Sequence, residues 1–480
     1  LPKKRSAKKI ILCGAGSAGR MIAREIVNRR GSVYQCVGFL DDDPEKQGWE
    51  LEGVPVLGSL DELPRCVEET DAEEVLIAIP SASGAVVRKI AELCNQTGVA
   101  FRVLPSLFEV VHGNAKLGQV RDVRVEDLLR RSPIQLDMDT ISECVSGETV
   151  LVTGAGGSIG GELCRQLITF DPARIVLLGH GENSIFATYH DLLRRKPRCE
   201  IKNAIVDLRN KTRLERVLAT HQPRIIFHAA AHKHVPLMED NPCEAFANNV
   251  GSILSLAELA PQYGCKRLVM ISTDKAVEPC NAMGASKAIC EVVTRLANNE
   301  PGDCRFITVR FGNVLGSRGS VIGLFRDQIE RGGPITITDE RMERFFMTIP
   351  EAVELVLQAG AVGEGGEVFV LDMGQPLRII DLARMLLDLT GFTEEEIPIV
   401  VTGLRSGERL YESLFSHSEE RLPSPHPQLL IARRNGTTAD QWKLVRELLE
   451  ASRSMETDRL PGLVKQLVTD STWKNAEGYF

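Results

Sequence analysis

Two strand–glycine–helix signals, a repeated alternation of strand and helix patterns, and a chain of 480 residues predict an α/β protein with two Rossmann-like parallel-sheet domains. The first signal is the apolar run 9–13 leading into Gly14-x-Gly16-x-x-Gly19 and a helical pattern through Val27. Further strands are expected at 36–40, 75–79 and 99–104, the last two meeting Pro80 and Pro105. The second signal is residues 149–152 leading into Thr153-Gly154-Ala155-Gly156-Gly157-Ser158-Ile159-Gly160, with a helix expected over 162–168. Strands recur at 174–178, 201–206, 224–228, 267–271 and 306–310. Past about residue 320 the alternation loosens, the place for a smaller substrate-binding part. A linker is expected at 132–147, dividing an N-terminal domain of residues 1–135 from a second of 136–480. Within the second, the dinucleotide core spans about 147–320 and the substrate-binding part mainly 320–430.

With 57 Lys and Arg against 65 Asp and Glu, the net charge is −8, which argues against a nucleic-acid partner. The apolar share of 43% and charged share of 25% are those of a globular chain. The 12 Cys are scattered without a CxxC pair, pointing to reduced thiols and to no metal site. No run of 18 apolar residues occurs, as a spanning helix would require. The opening Leu1-Pro2-Lys3-Lys4-Arg5, with Lys8 and Lys9, reads either as a solvated tail or as the positive flank of a membrane segment that is not part of this chain.

A glycine turn between strand and helix brings backbone close to a pyrophosphate at the helix N-terminus. At Gly14–Gly19 the pattern is joined by Asp41, placed at a strand end where a carboxylate can hold a ribose hydroxyl. The alternative there is a Rossmann-like domain that packs or dimerises without a dinucleotide. In the second turn, with its wider spacing, the acidic residue expected after the next strand is absent. The strand ends in Gly179-His180-Gly181-Glu182, so Glu182 is the candidate ribose partner. No Arg or Lys stands there for a 2′-phosphate, which favours NAD over NADP. Downstream, the run 268–271 leads into Ser272-Thr273-Asp274-Lys275, and Asn281-Ala282-Met283-Gly284-Ala285-Ser286-Lys287 opens a helix. Met283 and Lys287, four apart, share a helix face. A lone Lys is ordinarily solvated and a lone Met ordinarily fills core. Their order after the glycine turn and Thr-Asp-Lys points instead to a ribose-holding lysine.

These motifs resemble the extended short-chain dehydrogenase/reductases. Within them the chain is similar to the membrane-anchored nucleoside-diphosphate-sugar 4,6-dehydratases of capsule and glycan biosynthesis, above all the UDP-N-acetylglucosamine 4,6-dehydratases that feed bacillosamine-type sugars. The resemblance runs from Lys9 to about Leu430 and rests on Thr153–Gly160, His228–Pro236, Ser272–Lys275, Arg310–Val314, Arg344–Thr348 and Leu404–Glu408. It implies cofactor contacts at Thr153, Gly154, Gly157, Ser158, Ile159, Gly160, Asp207, Leu208, Ala229, Ala230, Ala231 and Asn249, with Asp207 beside the adenine. It places Lys233, His234, Asn313, Arg344, Arg405 and Glu408 around the sugar and UDP, the two Arg being suited to a diphosphate. It also implies a homodimer or larger homo-oligomer, and a full-length protein at the cytoplasmic face of the bacterial inner membrane.

Most of the superfamily carries Tyr four residues before the Lys, and here Met283 stands there, as in a subset of the dehydratases. The implied reaction moves hydride from carbon 4 to carbon 6 of the hexose through NAD while water is lost, with retention at carbon 5. It requires an acid and a base at adjacent carbons. Asp274 is the expected acid toward the 6-hydroxyl, Lys275 the base at carbon 5, and Thr273 the relay for the 4-hydroxyl proton. A free Asp is ionised and a free Lys protonated at pH 7, so both roles need inverted protonation states. The competing readings are a sugar 4-epimerase or dehydrogenase on the same fold, and a cofactor-bound regulatory or scaffold protein.

Overall fold

The computed structural model describes residues 7–29, 32–104, 120–123, 125–129, 136–434 and 439–474. The basic run Leu1-Pro2-Lys3-Lys4-Arg5 and Ser132-Pro133 of the expected linker lie outside the described residues. The chain forms two compact units, one up to Pro133 and one from Ile134 onward. No described helix is long and apolar enough to cross a membrane.

In the first unit, strands Lys8–Cys13, Tyr34–Leu40, Glu74–Ile77 and Ala100–Val103 pair in parallel, as their apolar runs predict. Val54–Gly58 joins alongside Tyr34–Leu40, although Pro55 and the flanking glycines read as breakers. Val54 and Val56 alternate inward and bury, which outweighs the weak local signal. The short strands Glu50–Leu51 and Arg121–Asp122 close the two edges antiparallel.

The second unit is built on nine strands, in the order Glu200–Ile205, Arg174–Gly179, Thr149–Thr153, Ile225–His228, Arg267–Thr273, Arg305–Phe311, Val368–Leu371, Leu429–Arg433 and Glu420–Pro423. The first seven are parallel and the last two antiparallel. Successive strands leave Thr149–Thr153 in opposite directions, so the order reverses between it and Ile225–His228. Ligands of open α/β sheets bind at the carboxyl ends of the strands at such a point. The strands are buried on both faces. Leu151, Val176 and Leu178 pack toward helices Pro242–Leu259 and Ala282–Asn298, and Val150, Val152 and Leu177 toward helices Ser158–Leu167 and Ile349–Val362.

Two expectations are corrected. Within the supposed linker, residues Met138–Val145 form a helix. Asp137 caps it by accepting from the Thr140 amide at 3.0 Å, and Ile141 and Val145, one turn apart, are buried. The region after 320 is also not a separate appendage, because Val368–Leu371 and Leu429–Arg433 extend the main sheet.

An ion-pair cluster holds that extension. Arg310, 1% exposed, donates to Glu291 at 2.7 and 3.1 Å, to Glu419 at 2.8 Å twice, and to the Leu414 carbonyl at 2.9 Å. Burial opposes its charge, but the two carboxylates hold the guanidinium above its ordinary range. We expect Arg310→Met to cost about 3–5 kcal/mol, since two carboxylates are then buried without their partner. Urea unfolding of the second unit, followed by the fluorescence of Trp442 and Trp473, checks this.

Candidate active site

A groove opens at the strand ends around the second glycine turn. It is lined by Gly154, Gly156, Gly157, Leu178 to Gly181, Ser184, Val206 to Leu208, Ala229 to His232, Asn248, Ser252 and Arg318. Gly154 has φ +63°, and a Cβ on it would stand 2.8 Å from the Ala230 backbone. A Cβ on Gly160 would stand 2.2 Å from the Gly154 carbonyl, so this glycine lets the helix start close beneath the turn. Thr153 is fully buried. Its Oγ1 bonds His228 Nδ1 at 2.8 Å and accepts from the Ala230 amide at 3.3 Å, locking the turn to the next strand end. Burial, helped by the Lys287 charge, pushes the His228 imidazole down to about 3, so it stays neutral. Ser158 Oγ accepts from the Arg318 amide at 3.2 Å, and Ile159 packs against the core.

Most cofactor residues expected from the sequence meet here. Gly154, Gly157, Asp207, Leu208 and Ala229–Ala231 line the groove directly. Asp207 is held below the usual carboxylate range by its hydrogen bonds from Arg209. Asn249 is buried and uses its amide on the His232 backbone, at 2.8 and 3.0 Å, and on Ser286 at 2.9 Å. It shapes the groove through that loop rather than lining it. Glu182 is the exposed first residue of helix Glu182–Arg194 and is not among the lining residues, whereas His180, Gly181 and Ser184 are. Arg318 is the groove residue the sequence reading passed over. It stands in Gly316-Ser317-Arg318-Gly319, far along the chain from both glycine turns.

Beside the groove, Asn281 Oδ1 caps helix Ala282–Asn298 through the Gly284 amide at 2.7 Å. Lys287, 5% exposed, makes no hydrogen bond to any described residue. Met283, one turn earlier, is 3% exposed and packs in the apolar cluster. A close-approach glycine turn at a helix N-terminus, backbone-lined walls, and a buried ammonium without a protein partner together fit a dinucleotide, with Lys287 toward its ribose.

Strand Arg267–Thr273 ends at the acid–base cluster. Lys275 Nζ donates to Asp274 Oδ1 at 2.9 Å and to Asn313 Oδ1 at 3.0 Å. Thr273 Oγ1 donates to the same Asp274 oxygen at 2.9 Å. Asp274 is fully buried, and its Oδ2 has no hydrogen-bond partner among the described residues. Lys233 donates to Ser317 Oγ at 3.2 Å, and burial together with the Lys275 charge holds its ammonium below the ordinary lysine range. His234 lies beside it, close to where a side chain on Gly319 would stand.

Arg344 departs from its expected place on a diphosphate. It is 7% exposed and donates to the carbonyls of Glu343, Arg409 and Leu410 at 2.7–3.1 Å. Three carbonyls around one buried guanidinium make a strut under the 405–419 segment. Arg405 stays exposed on that segment, its amide donating to Glu408 Oε2 at 3.3 Å.

In the first unit, Gly14 has φ +106°, and a Cβ on Gly19 would stand 1.9 Å from the Gly14 carbonyl. Asp41, expected to hold a ribose, accepts from the Ala15 amide at 2.7 Å and the Asp43 amide at 3.0 Å, with Lys46 Nζ at 3.3 Å. The carboxylate is folded onto its own glycine turn.

Sheet order, glycine turn and Thr-Asp-Lys cluster define a short-chain dehydrogenase/reductase of the extended type that contains the nucleotide-sugar epimerases and dehydratases. A family model described as "Polysaccharide biosynthesis protein" matches residues 150–434, and one described as "CoA-binding domain" matches residues 3–105. The chain is 47% identical over 423 residues to the capsular polysaccharide biosynthesis protein CapD of Staphylococcus aureus, covering 88% of this chain and 70% of that one. It is 43% identical over 451 residues to the probable polysaccharide biosynthesis protein EpsC of Bacillus subtilis, covering 93% and 75%. A UDP-N-acetylglucosamine 4,6-dehydratase (inverting) of Campylobacter jejuni is 32% identical over 287 residues, covering 58% and 80%. The dTDP-glucose 4,6-dehydratase DesIV of Streptomyces venezuelae, solved with NAD and TYD bound, shares the fold with a TM-score of 0.51 at 23% identity, covering 66% and 99%. The chain belongs to the polysaccharide biosynthesis protein family, of the CapD and EpsC type.

Gly154→Ala tests the groove. A side chain there is strained by its φ and meets the Ala230 backbone, so NAD affinity should fall at least about tenfold, read by calorimetry.

Proposed function

We propose that the protein is an NAD-dependent UDP-N-acetylglucosamine 4,6-dehydratase that retains configuration at carbon 5. The observation that carries the reading is the Thr273–Asp274–Lys275–Asn313 cluster, in which one buried carboxylate contacts both a hydroxyl and an ammonium and keeps its second oxygen unpartnered. Bound NAD, held by the glycine turn, the Ala229–Ala231 walls and Lys287, supplies reversible hydride storage, so that carbon 4 is a ketone in transit and no net oxidant is needed.

The chain's own residues handle the protons. Thr273, already donating to Asp274, passes the 4-hydroxyl proton to that carboxylate. The transient ketone makes the carbon 5 proton acidic, and Lys275 as a free amine removes it. Asp274 gives its proton to the departing 6-hydroxyl, which leaves as water, and its unpartnered Oδ2 is suited to this. Lys275 then returns a proton to carbon 5 on the face it took one from, which is retention. Met283, whose thioether cannot titrate, leaves the cluster without a second acid at the usual tyrosine position. Asn313 keeps the Lys275 amine aimed through the 3.0 Å contact. An epimerase needs no acid–base pair for elimination, so the cluster favours dehydration.

Lys275→Met is expected to keep NAD affinity and lose about 10³-fold in turnover. Incubating the wild-type protein with UDP-N-acetylglucosamine in D2O, followed by NMR, should show a 4-keto-6-deoxy product carrying deuterium at carbon 5 in the starting configuration. A 4-epimer with the 6-hydroxyl intact would replace this reading with epimerisation.

A further inference from the structure

Three groups must change protonation for this reaction, yet the Asp274–Lys275 pair offers only two positions for them. With Asp274 ionised and Lys275 an ammonium, the 4-hydroxyl proton can go to Asp274 through Thr273. The Lys275 proton then has no acceptor within the pair, and an ammonium cannot act as a base.

A third titratable group faces the cluster. Glu412 lies on the 405–419 segment, its side chain 6% exposed. Rigid anchors fix that segment on both sides of it. Asn281 Nδ2 donates to the Gly407 carbonyl at 3.0 Å, the Leu410 carbonyl accepts from the Glu343 amide at 3.0 Å, and Arg310 holds the Leu414 carbonyl and Glu419. The Glu412 carboxyl makes no hydrogen bond to a described residue, and its ion-pair contact is Arg344 Nη2 at 3.8 Å. It faces the charges of Lys275 and Asp274 from across the cluster and those of Arg344 and Arg409 from its own side. Lys275 is faced in addition by Lys233. Burial raises the Glu412 carboxyl above its ordinary range, and the Asp274 charge adds to this against the three cations. It is therefore a carboxylate suited to accepting a proton.

Building on the dehydratase reading above, we infer that Glu412 is the proton store for Lys275, a positioning residue that acts through the base rather than on the sugar. The account then closes. Lys275 ammonium and Glu412 carboxylate become free amine and carboxylic acid, while the 4-hydroxyl proton reaches Asp274. All three groups are then neutral, the state a water-poor site favours. Lys275 takes the carbon 5 proton and Asp274 releases its own to the leaving hydroxyl. Lys275 reprotonates carbon 5, and Glu412 returns the stored proton to Lys275. The starting charges are restored with one water lost and no outside acid or base.

The test compares kcat against pH for the wild type, Glu412→Gln, Glu412→Asp and Lys275→Met on UDP-N-acetylglucosamine, with NAD and UDP binding by calorimetry as the control for folding. An internal store makes the wild-type turnover flat around neutrality, because the proton moves within the pair. Glu412→Gln cannot store it, so Lys275 must lose its proton to solvent. Turnover should then lie below wild type at pH 7 and climb about tenfold per pH unit. Glu412→Asp, which keeps a titratable carboxyl, should return much of the flat profile. A Glu412→Gln profile parallel to wild type, at the same level or uniformly lowered, overturns the inference while leaving the dehydratase reading intact. Wild-type turnover in Lys275→Met overturns both.

Discussion

Lys275 and Asp274 meet in a nearly dry place, and much of the second unit exists to make that contact tolerable. Bringing opposite charges out of water costs several kcal/mol per ion unless geometry and additional hydrogen bonds offset it. Thr273 and Asn313 provide those bonds, and each arrives from a different strand end. Thr273 closes strand Arg267–Thr273, and Asn313 follows Arg305–Phe311. The two strands are in parallel register, Thr273 opposite Phe311, so the pairing of the sheet sets the width of the cluster. A shift of one residue would turn Asn313 to the other side and leave the ammonium with one partner.

The same sheet carries the cofactor groove two strands away, which is why reversible hydride storage and proton handling can share one sugar. Nothing in the arrangement requires a large conformational change. The Thr153–His228 bond, the Asn249 amide and the Arg344 strut all fix backbone near the site, and each is buried. The polar groups of this core are therefore used to hold loops at set positions, a service apolar packing cannot give with the same direction.

Much of this was legible in the chain. Apolar runs ending in glycine announced both sheets, because a strand buried on two faces needs a continuous apolar stretch and a pyrophosphate turn needs residues without a Cβ. Thr273, Asp274, Lys275, Met283 and Lys287 were found from order and spacing, and they do converge. What escaped depends on partners distant in sequence. Val368–Leu371 is four residues long and becomes a strand only by pairing with Arg305–Phe311. Met138–Val145 reads as linker until Ile141 and Val145 find the core. Arg344 looked available for a diphosphate, but its use on three carbonyls cannot be seen without the fold. Arg318 and Glu412 reach the site from loops far from either motif, with no local pattern to mark them.

The return of Val368–Leu371 and Leu429–Arg433 to the main sheet has a practical result. A protein cut at residue 320 would leave Arg305–Phe311 as a raw edge, with unpaired amides and carbonyls along a strand whose side chains are almost all buried. Such an edge templates aggregation. Exchanging sugar specificity between relatives should therefore be done by swapping loops between strands, with the last strands left in place, because the sheet needs them to stay soluble.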